Sequence, residues 1–201
     1  NGSKFKLHIN NECIEASISL PGKHNVLNAC ATAAMAQGLG VNMEQICNGL
    51  ESATSVEGRL KSIRGLSEIN LFDDTYNANP KSVKAAADFL STQKGKKFFV
   101  LGDMAELGDS SVFIHAEVGS IIKESGIDYL FGVGELTRNS VDTFGDGAYW
   151  FESIEDLIKK SKILVAEGDS VLVKGSRSMR MERVVSGLLR AFDNSVFDRN
   201  I

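Results

Sequence analysis

The 201 residues carry 22 lysines and arginines against 26 aspartates and glutamates, a net charge of −4 with histidine neutral, which excludes a polycation built for nucleic acid. Hydrophobic residues at 43% and charged residues at 24% supply an ordinary globular core, and at ~100–200 residues per domain the length allows one domain or two. No apolar run approaches the ~20 residues that cross a bilayer and no basic start leads into an apolar segment, so a soluble, non-secreted protein with no membrane partner is expected.

The chain begins Asn1-Gly2-Ser3, without a methionine, and reads as a piece of a longer protein or a processed product. Two short extended runs follow, Phe5–Ile9 and Cys13–Leu20, around Asn10-Asn11-Glu12; the second sets Ile14, Ala16, Ile18 and Leu20 at every other position, the signature of a hairpin with one apolar face. After Pro21-Gly22, His24 or Asn25 opens an alanine-rich run, Val26–Gln37, closed by Gly38 and Gly40, which predicts a helix packed closely against a neighbour. Met43–Leu50 predicts a second, shorter helix with Ile46, Cys47 and Leu50 at helical spacing. Cys13, Cys30 and Cys47 are odd in number and belong to no C-x-x-C or Cys/His cluster, so neither a disulfide framework nor a zinc site is expected and a reducing compartment is. A hairpin and two helices are too little to bury a core of their own, so residues 1–57 read as the tail of a domain begun elsewhere or as an accessory layer.

From Ile69 the pattern becomes an alternation of short apolar runs with helical segments. Leu71-Phe72 leads to Ser82–Leu90, Phe98–Leu101 to Phe113–Lys123, Tyr129–Val133 to Leu136–Val141, Tyr149–Phe151 to Ile154–Ile163, and Val171–Val173 to Met179–Phe192. Strands this short and this apolar have no face to spare for water, which argues for an α/β domain with a doubly wound, mainly parallel sheet of five or six strands. The last helix carries the clearest stripe: Met181, Val184, Val185, Leu188, Leu189 and Phe192. The domain boundary is placed within Ser55–Arg59, dividing the chain into 1–57 and 58–201.

Ligands of such sheets bind at the carboxyl ends of the strands. Four polar or glycine-bearing segments fall there: Asp73–Pro80, Gly102–Gly108, Gly132–Glu135 and Lys174–Ser178. A strand-end carboxylate such as Asp74 either takes the hydroxyls of a ribose or serves as a turn or helix-cap aspartate, and spacing leaves both readings open. Arg59 and Lys174 suit phosphate or carboxylate if they converge, and are otherwise solvated surface charges. Neither G-x-x-x-x-G-K-[ST] nor G-x-G-x-x-G occurs, His8 and His115 are isolated, and His115 reads as a helix-surface or packing residue.

Taken together, Leu20-Pro21-Gly22-Lys23-His24-Asn25-Val26-Leu27-Asn28-Ala29, Gly58-Arg59-Leu60, the D-D-x-Y-N-A-N-P of Asp73–Pro80, the L-G-D-M-x-E-L-G of Leu101–Gly108 and the K-G-S-R of Lys174–Arg177 resemble the Mur ligase family over essentially the whole chain. Within the family the combination is similar to the branch that adds D-alanyl-D-alanine; the D-N-P-R motif of the diaminopimelate- or lysine-adding branch does not occur. The resemblance implies an ATP-dependent amide ligase of peptidoglycan precursor synthesis in a bacterial cytoplasm. Such an enzyme phosphorylates the terminal carboxylate of a UDP-N-acetylmuramoyl-tripeptide and lets the amine of D-alanyl-D-alanine displace phosphate, with magnesium offsetting the phosphate charges.

By the same resemblance, residues 1–57 are the end of the central ATP-binding domain and 58–201 a Rossmann-like C-terminal domain. The first domain, most of the second, the phosphate loop, the modified lysine and the magnesium ligands then lie outside the chain, which is expected to be inactive alone and to work with those missing domains. Carried over residue by residue, His24, Asn25 and Asn28 face the adenine side of ATP, Arg59 reaches its phosphates and Asp74 its ribose. Asn77, Asn79, Lys174, Ser176, Arg177 and Ser178 are candidates for the dipeptide, and no metal ligand is implied among these residues. A stand-alone nucleotide-binding or regulatory module is the alternative; an NAD-type oxidoreductase is disfavoured by the missing glycine fingerprint.

Overall fold

Side-chain alternation makes Ser3–Ile9 (β1) and Glu12–Ile18 (β2) a hairpin, paired antiparallel from Ser3 opposite Ile18 to Ile9 opposite Glu12 in a computed structural model that describes residues 2–10, 12–20, 22–53, 58–63 and 69–193. Two helices complete this part, Lys23–Gly38 (α1) and Met43–Ser52 (α2), the latter capped by Asn42, whose side chain accepts the Gln45 N–H at 2.9 Å. The sequence reading of these residues as too few for a core is corrected. Leu7, Ala16 and Ile18 of the hairpin bury against Ala29 and Ala33 of α1 and Ile46 and Leu50 of α2 in one cluster. The alanines explain it, because a side chain of one carbon lets elements approach closely enough for four short pieces to share an interior.

The chain divides into two compact units, Asn1–Val56 and Glu57–Ile201. In the second, Lys61–Ile63 (β3), Asn70–Asp74 (β4), Lys97–Gly102 (β5), Tyr129–Val133 (β6), Ala148–Phe151 (β7) and Ser170–Lys174 (β8) form one sheet in the order β3-β4-β8-β5-β6-β7. All pairs are parallel except β3 with β4. The mainly parallel, helix-covered sheet is thus the one expected, with the antiparallel edge β3 added. Lys61-Ser62-Ile63 has no apolar run to announce it.

Helices Pro80–Ser91 (α3), Ser111–Glu124 (α4) and Thr137–Phe144 (α5) cover one face, and Ile154–Leu164 (α6) with Glu182–Asp193 (α7) the other. The period of two along each strand divides the core accordingly. Phe72, Phe99, Leu101, Leu130 and Leu172 turn toward α3, α4 and α5, while Leu71, Phe98, Val100, Phe131 and Val173 turn toward α6 and α7. Local chemistry sets the helix starts. Asn79 caps α3 in a capping box with Ser82, with Pro80 in the first turn. Ser153 caps α6, and hydrogen bonds from Lys159 and Ser153 hold the Asp156 carboxyl below the usual carboxylate range. The sequence places the last helix from Met179; instead Arg177–Met179 form a single 3-10 turn, Arg180 takes a left-handed conformation, and α7 begins at Glu182. Among the described residues no helix is long and apolar enough to cross a membrane.

Candidate substrate-binding rim

The turn before β3 is pinned to the segment after β4. Gly58 has φ +72°, and a Cβ there would stand 2.8 Å from the Tyr76 backbone nitrogen, so only glycine lets its carbonyl accept the Tyr76 N–H at 2.9 Å. That contact sets Arg59 beside Tyr76, its guanidinium carbon 4.5 Å from the ring centroid, with Arg59 exposed and Tyr76 47% exposed. The adjacent Leu60 N–H donates to Asp74 Oδ1 at 3.1 Å.

Asp73 and Asp74 part ways because neighbouring strand residues face opposite sides of the sheet. Asp73 Oδ1 accepts the Thr75 N–H at 3.1 Å and its hydroxyl at 2.7 Å, a local turn. Asp74 lies opposite Lys174 in the parallel β4–β8 register, and Lys174 Nζ donates to its Oδ2 at 2.6 Å and to the Asn77 carbonyl at 2.8 Å. The lysine side chain is 3% exposed and the aspartate 17%. Lys174, expected at the dipeptide, therefore sits beneath the Asp73–Pro80 segment and holds it down, its charge spent on internal partners.

The remaining expected residues divide in the same way. Asn79 is exposed, but its side chain caps α3 by accepting the Ser82 N–H at 2.9 Å. Asn77 is exposed, its side-chain oxygen 2.8 Å from the Ala78 backbone nitrogen. Ser176 is 2% exposed, its N–H donates to the Asp103 carbonyl at 3.0 Å, and its hydroxyl lies 3.0 Å from that of the exposed Ser178. Arg177 is 67% exposed, with Nη1 3.5 Å from Glu182. A cleft of about 550 Å³ brings Gly58, Asp73, Thr75 and Tyr76 together with Arg177 and Glu182.

In the other unit, Asn25 and Asn28 lie in the first two turns of α1, where Asn28 is exposed and its carbonyl accepts the Thr32 hydroxyl at 2.9 Å. The side chain of His24 lies outside the described residues. Tyr76 is the tyrosine of the D-D-x-Y-N-A-N-P motif but carries no role of its own in the sequence analysis; an aromatic two residues after a strand-end aspartate, with a glycine-arginine turn upstream, is the available signal. Asp103 falls in the strand-end segment Gly102–Gly108 and in the L-G-D-M-x-E-L-G motif, but its contact with the Ser176 N–H is tertiary and has no sequence signal.

The family model described as "Mur ligase, glutamate ligase domain" matches residues 58–177. The chain belongs to the Mur ligase family. Similar curated Mur ligases include the UDP-N-acetylmuramoyl-tripeptide–D-alanyl-D-alanine ligase of Escherichia coli strain K12, 38% identical over 190 residues that cover 94% of this chain and 42% of that protein. The enzyme of the same name from Bacillus subtilis strain 168 is 34% identical over 193 residues, 92% of this chain and 42% of that one. Among solved structures, MurF from Acinetobacter baumannii superposes with a TM-score of 0.85 at 36% identity, covering 94% of this chain and 42% of that one. The MurF ligase from Thermotoga maritima in complex with ADP gives 0.82 at 25% identity, covering 96% and 44%. The chain thus spans about 42% of the length of these Mur ligase relatives.

Proposed function

We propose that the chain is the C-terminal part of an ATP-dependent amide ligase that joins D-alanyl-D-alanine to a UDP-N-acetylmuramoyl-tripeptide in peptidoglycan precursor synthesis, in the bacterial cytoplasm. The observation that carries this reading is the rim itself. An exposed guanidinium on an aromatic shelf, Arg59 on Tyr76, stands next to the Asp74 segment, and a second exposed guanidinium, Arg177, follows β8. Relatives named for this reaction match over nearly the whole chain. On this reading residues 1–57 end the central ATP-binding domain, 58–201 form the C-terminal domain, and the remaining domains of the same enzyme are the chain's partners.

These residues fit ATP. Arg59 has its cation on the surface, and a guanidinium stacked on a ring keeps its N–H edge free for phosphate oxygens. Asp74, its side chain 17% exposed at the rim, would take the ribose hydroxyls, and by the family resemblance His24, Asn25 and Asn28 would lie on the adenine side. Bound ATP supplies the phosphoryl group that turns a carboxylate into an acylating agent. Magnesium belongs to the same reading as counter-charge. By the family resemblance its ligands belong to the other domains of the enzyme. Arg177, Ser178 and Asn77 present polar groups for the dipeptide, the guanidinium suiting its carboxylate. Lys174 holds the Asn77 carbonyl and the Ser176 hydroxyl lies against that of Ser178, while the Asn79 side chain is engaged as the cap of α3.

The test uses the full-length ligase with Arg59→Ala. Removing an exposed stacked cation spares the core, so the fold stays. Losing a charge-assisted phosphate contact raises KM for ATP roughly 10- to 100-fold while KM for the UDP-linked substrate stays put. An unchanged KM for ATP would remove Arg59 from the nucleotide site. A wild-type enzyme whose phosphate release ignores D-alanyl-D-alanine would replace the ligase reading with that of a nucleotide-binding module.

A further inference from the structure

We propose that His115 is a positioning residue, a neutral imidazole that anchors the Gly102–Gly108 loop and through it the Ser176–Ser178 loop, and so sets the affinity for the incoming dipeptide. The inference rests on the reading above that the loop after β8 meets that substrate.

His115 sits on α4, 0% exposed. Its Nδ1 lies 2.7 Å from the Ser111 carbonyl oxygen, one turn earlier. A carbonyl can only accept, so Nδ1 carries the hydrogen. Its Nε2 lies 3.0 Å from the backbone nitrogen of Met104, and an N–H can only donate, so Nε2 is bare. The two neighbours together fix one charge state and one tautomer.

The helix that carries this imidazole is itself held. The His115 carbonyl accepts the Ser140 hydroxyl of α5 at 2.6 Å. One turn on, a Cβ on Gly119 would stand 2.2 Å from the Ser140 carbonyl oxygen, so the two helices meet backbone to backbone and cannot slide without a clash.

From this platform the restraint reaches the rim in short steps. Met104, 1% exposed, is fixed by its N–H. Asp103, directly before it, accepts the Ser176 N–H on its carbonyl at 3.0 Å and the Thr137 N–H on Oδ1 at 2.9 Å. The imidazole thus decides where a backbone brace for the β8 loop stands, and Arg177 and Ser178 come next in the chain. On the far side of Met104 the loop carries Glu106 at φ +63°, a conformation that a side chain resists and that needs a fixed frame. Arg59 and Asp74 are tied down separately, through Gly58, Leu60 and Lys174. Loss of the imidazole should therefore be felt by the dipeptide far more than by the nucleotide.

The experiment compares His115→Phe, which keeps a ring but loses both bonds, with His115→Gln, whose amide oxygen can reach toward the Met104 N–H. In the full-length ligase His115→Phe is expected to raise KM for D-alanyl-D-alanine ~10-fold or more with KM for ATP within about twofold, and His115→Gln to recover most of the loss. A purely structural role would lower the melting temperature of both variants without this split or this rescue. Should His115→Phe fail to fold, His115→Asn, which keeps the Ser111 bond but stops short of Met104, takes its place in the comparison. In the 201-residue chain, nitrogen-15 NMR should find Nδ1 protonated and Nε2 bare, and the variant that loses the bond should move the amides of Asp103, Met104 and Ser176 and leave that of Tyr76. A protonated Nε2, or amides of the β8 loop that do not respond, overturns the proposal whatever the substrate is. A normal NMR result in an enzyme that uses another amine would instead overturn the reading of the substrate and leave the brace intact.

Discussion

In the larger unit β5 is covered on both sides: Phe98, Phe99, Val100 and Leu101 are all 0% exposed, alternately facing the α3–α5 layer and the α6–α7 layer. In the smaller unit a hairpin lays one face on two helices, its cluster is built largely of alanine, isoleucine and leucine, and Leu27, Met35 and Leu39 remain 61, 65 and 86% exposed. Two-sided burial makes every strand residue a core residue, whereas one-sided burial leaves each element half its surface for water. Mutational cost should follow that difference.

The largest expected effect is therefore at the centre of the parallel sheet. Phe99→Ala should cost about 3–5 kcal/mol, whereas Ile46→Ala, 5% exposed among small neighbours that can close the gap, should cost nearer ~2 kcal/mol. Trp150 is the single tryptophan and lies in the larger unit, so its fluorescence during urea unfolding reads that unit alone. Phe99→Ala should move the fluorescence midpoint, and Ile46→Ala should show in circular dichroism with that midpoint in place. Equal shifts in fluorescence would mean that the two clusters melt as one.

Next comes the charge pair under the rim, which has no counterpart among the described residues of the smaller unit. Lys174→Met strips Asp74 of its cation and should cost about 3 kcal/mol, at the low end for a broken buried pair because Asp74 is 17% exposed. Combining it with Asp74→Asn should recover most of that loss, a non-additivity that a double-mutant cycle measures. Strict additivity would show that the two charges do not feel each other.

The smallest difference is expected at the helix starts, where both units use asparagine in the same way. Asn42 caps α2 and Asn79 caps α3, each accepting an N–H at 2.9 Å. Replacing either with alanine should cost ~1 kcal/mol by thermal unfolding, because a cap is local and indifferent to how the core behind it is built. A cost at Asn79 several times that at Asn42 would give Asn79 a further role in the rim.

Much of this architecture was legible residue by residue. The run Tyr129–Val133 is a strand with those ends, and Leu71-Phe72, Phe98–Leu101 and Val171–Val173 needed only a residue or two added at their margins. The sequence pattern starts α3 at Ser82, two residues after its start at Pro80, because Asn79-Pro80 can open a turn as well as a helix. By contrast β3 exists through its partner: Lys61-Ser62-Ile63 becomes a strand because β4 offers a free edge. The cluster formed within residues 1–57 is not legible from chain length, which says how much surface there is to bury, whereas side-chain size decides how closely the pieces can meet.

Sequence by itself determined the elements, their alternation, the rim on which polar segments gather and the family motifs, because periodicity, caps and turn residues act within a few positions of one another. Only the tertiary structure decided which of the rim's charged and polar groups face outward. Asp74 and Lys174 are 100 residues apart, and the strand order sets them side by side in parallel register, on one face, within 2.6 Å. His115, isolated in sequence, finds the backbone of Met104 only once α4 has packed against α5 and the sheet. A charge or an imidazole has no fixed role until its neighbours are known, and in a sheet wound as β3-β4-β8-β5-β6-β7 those neighbours come from distant parts of the chain.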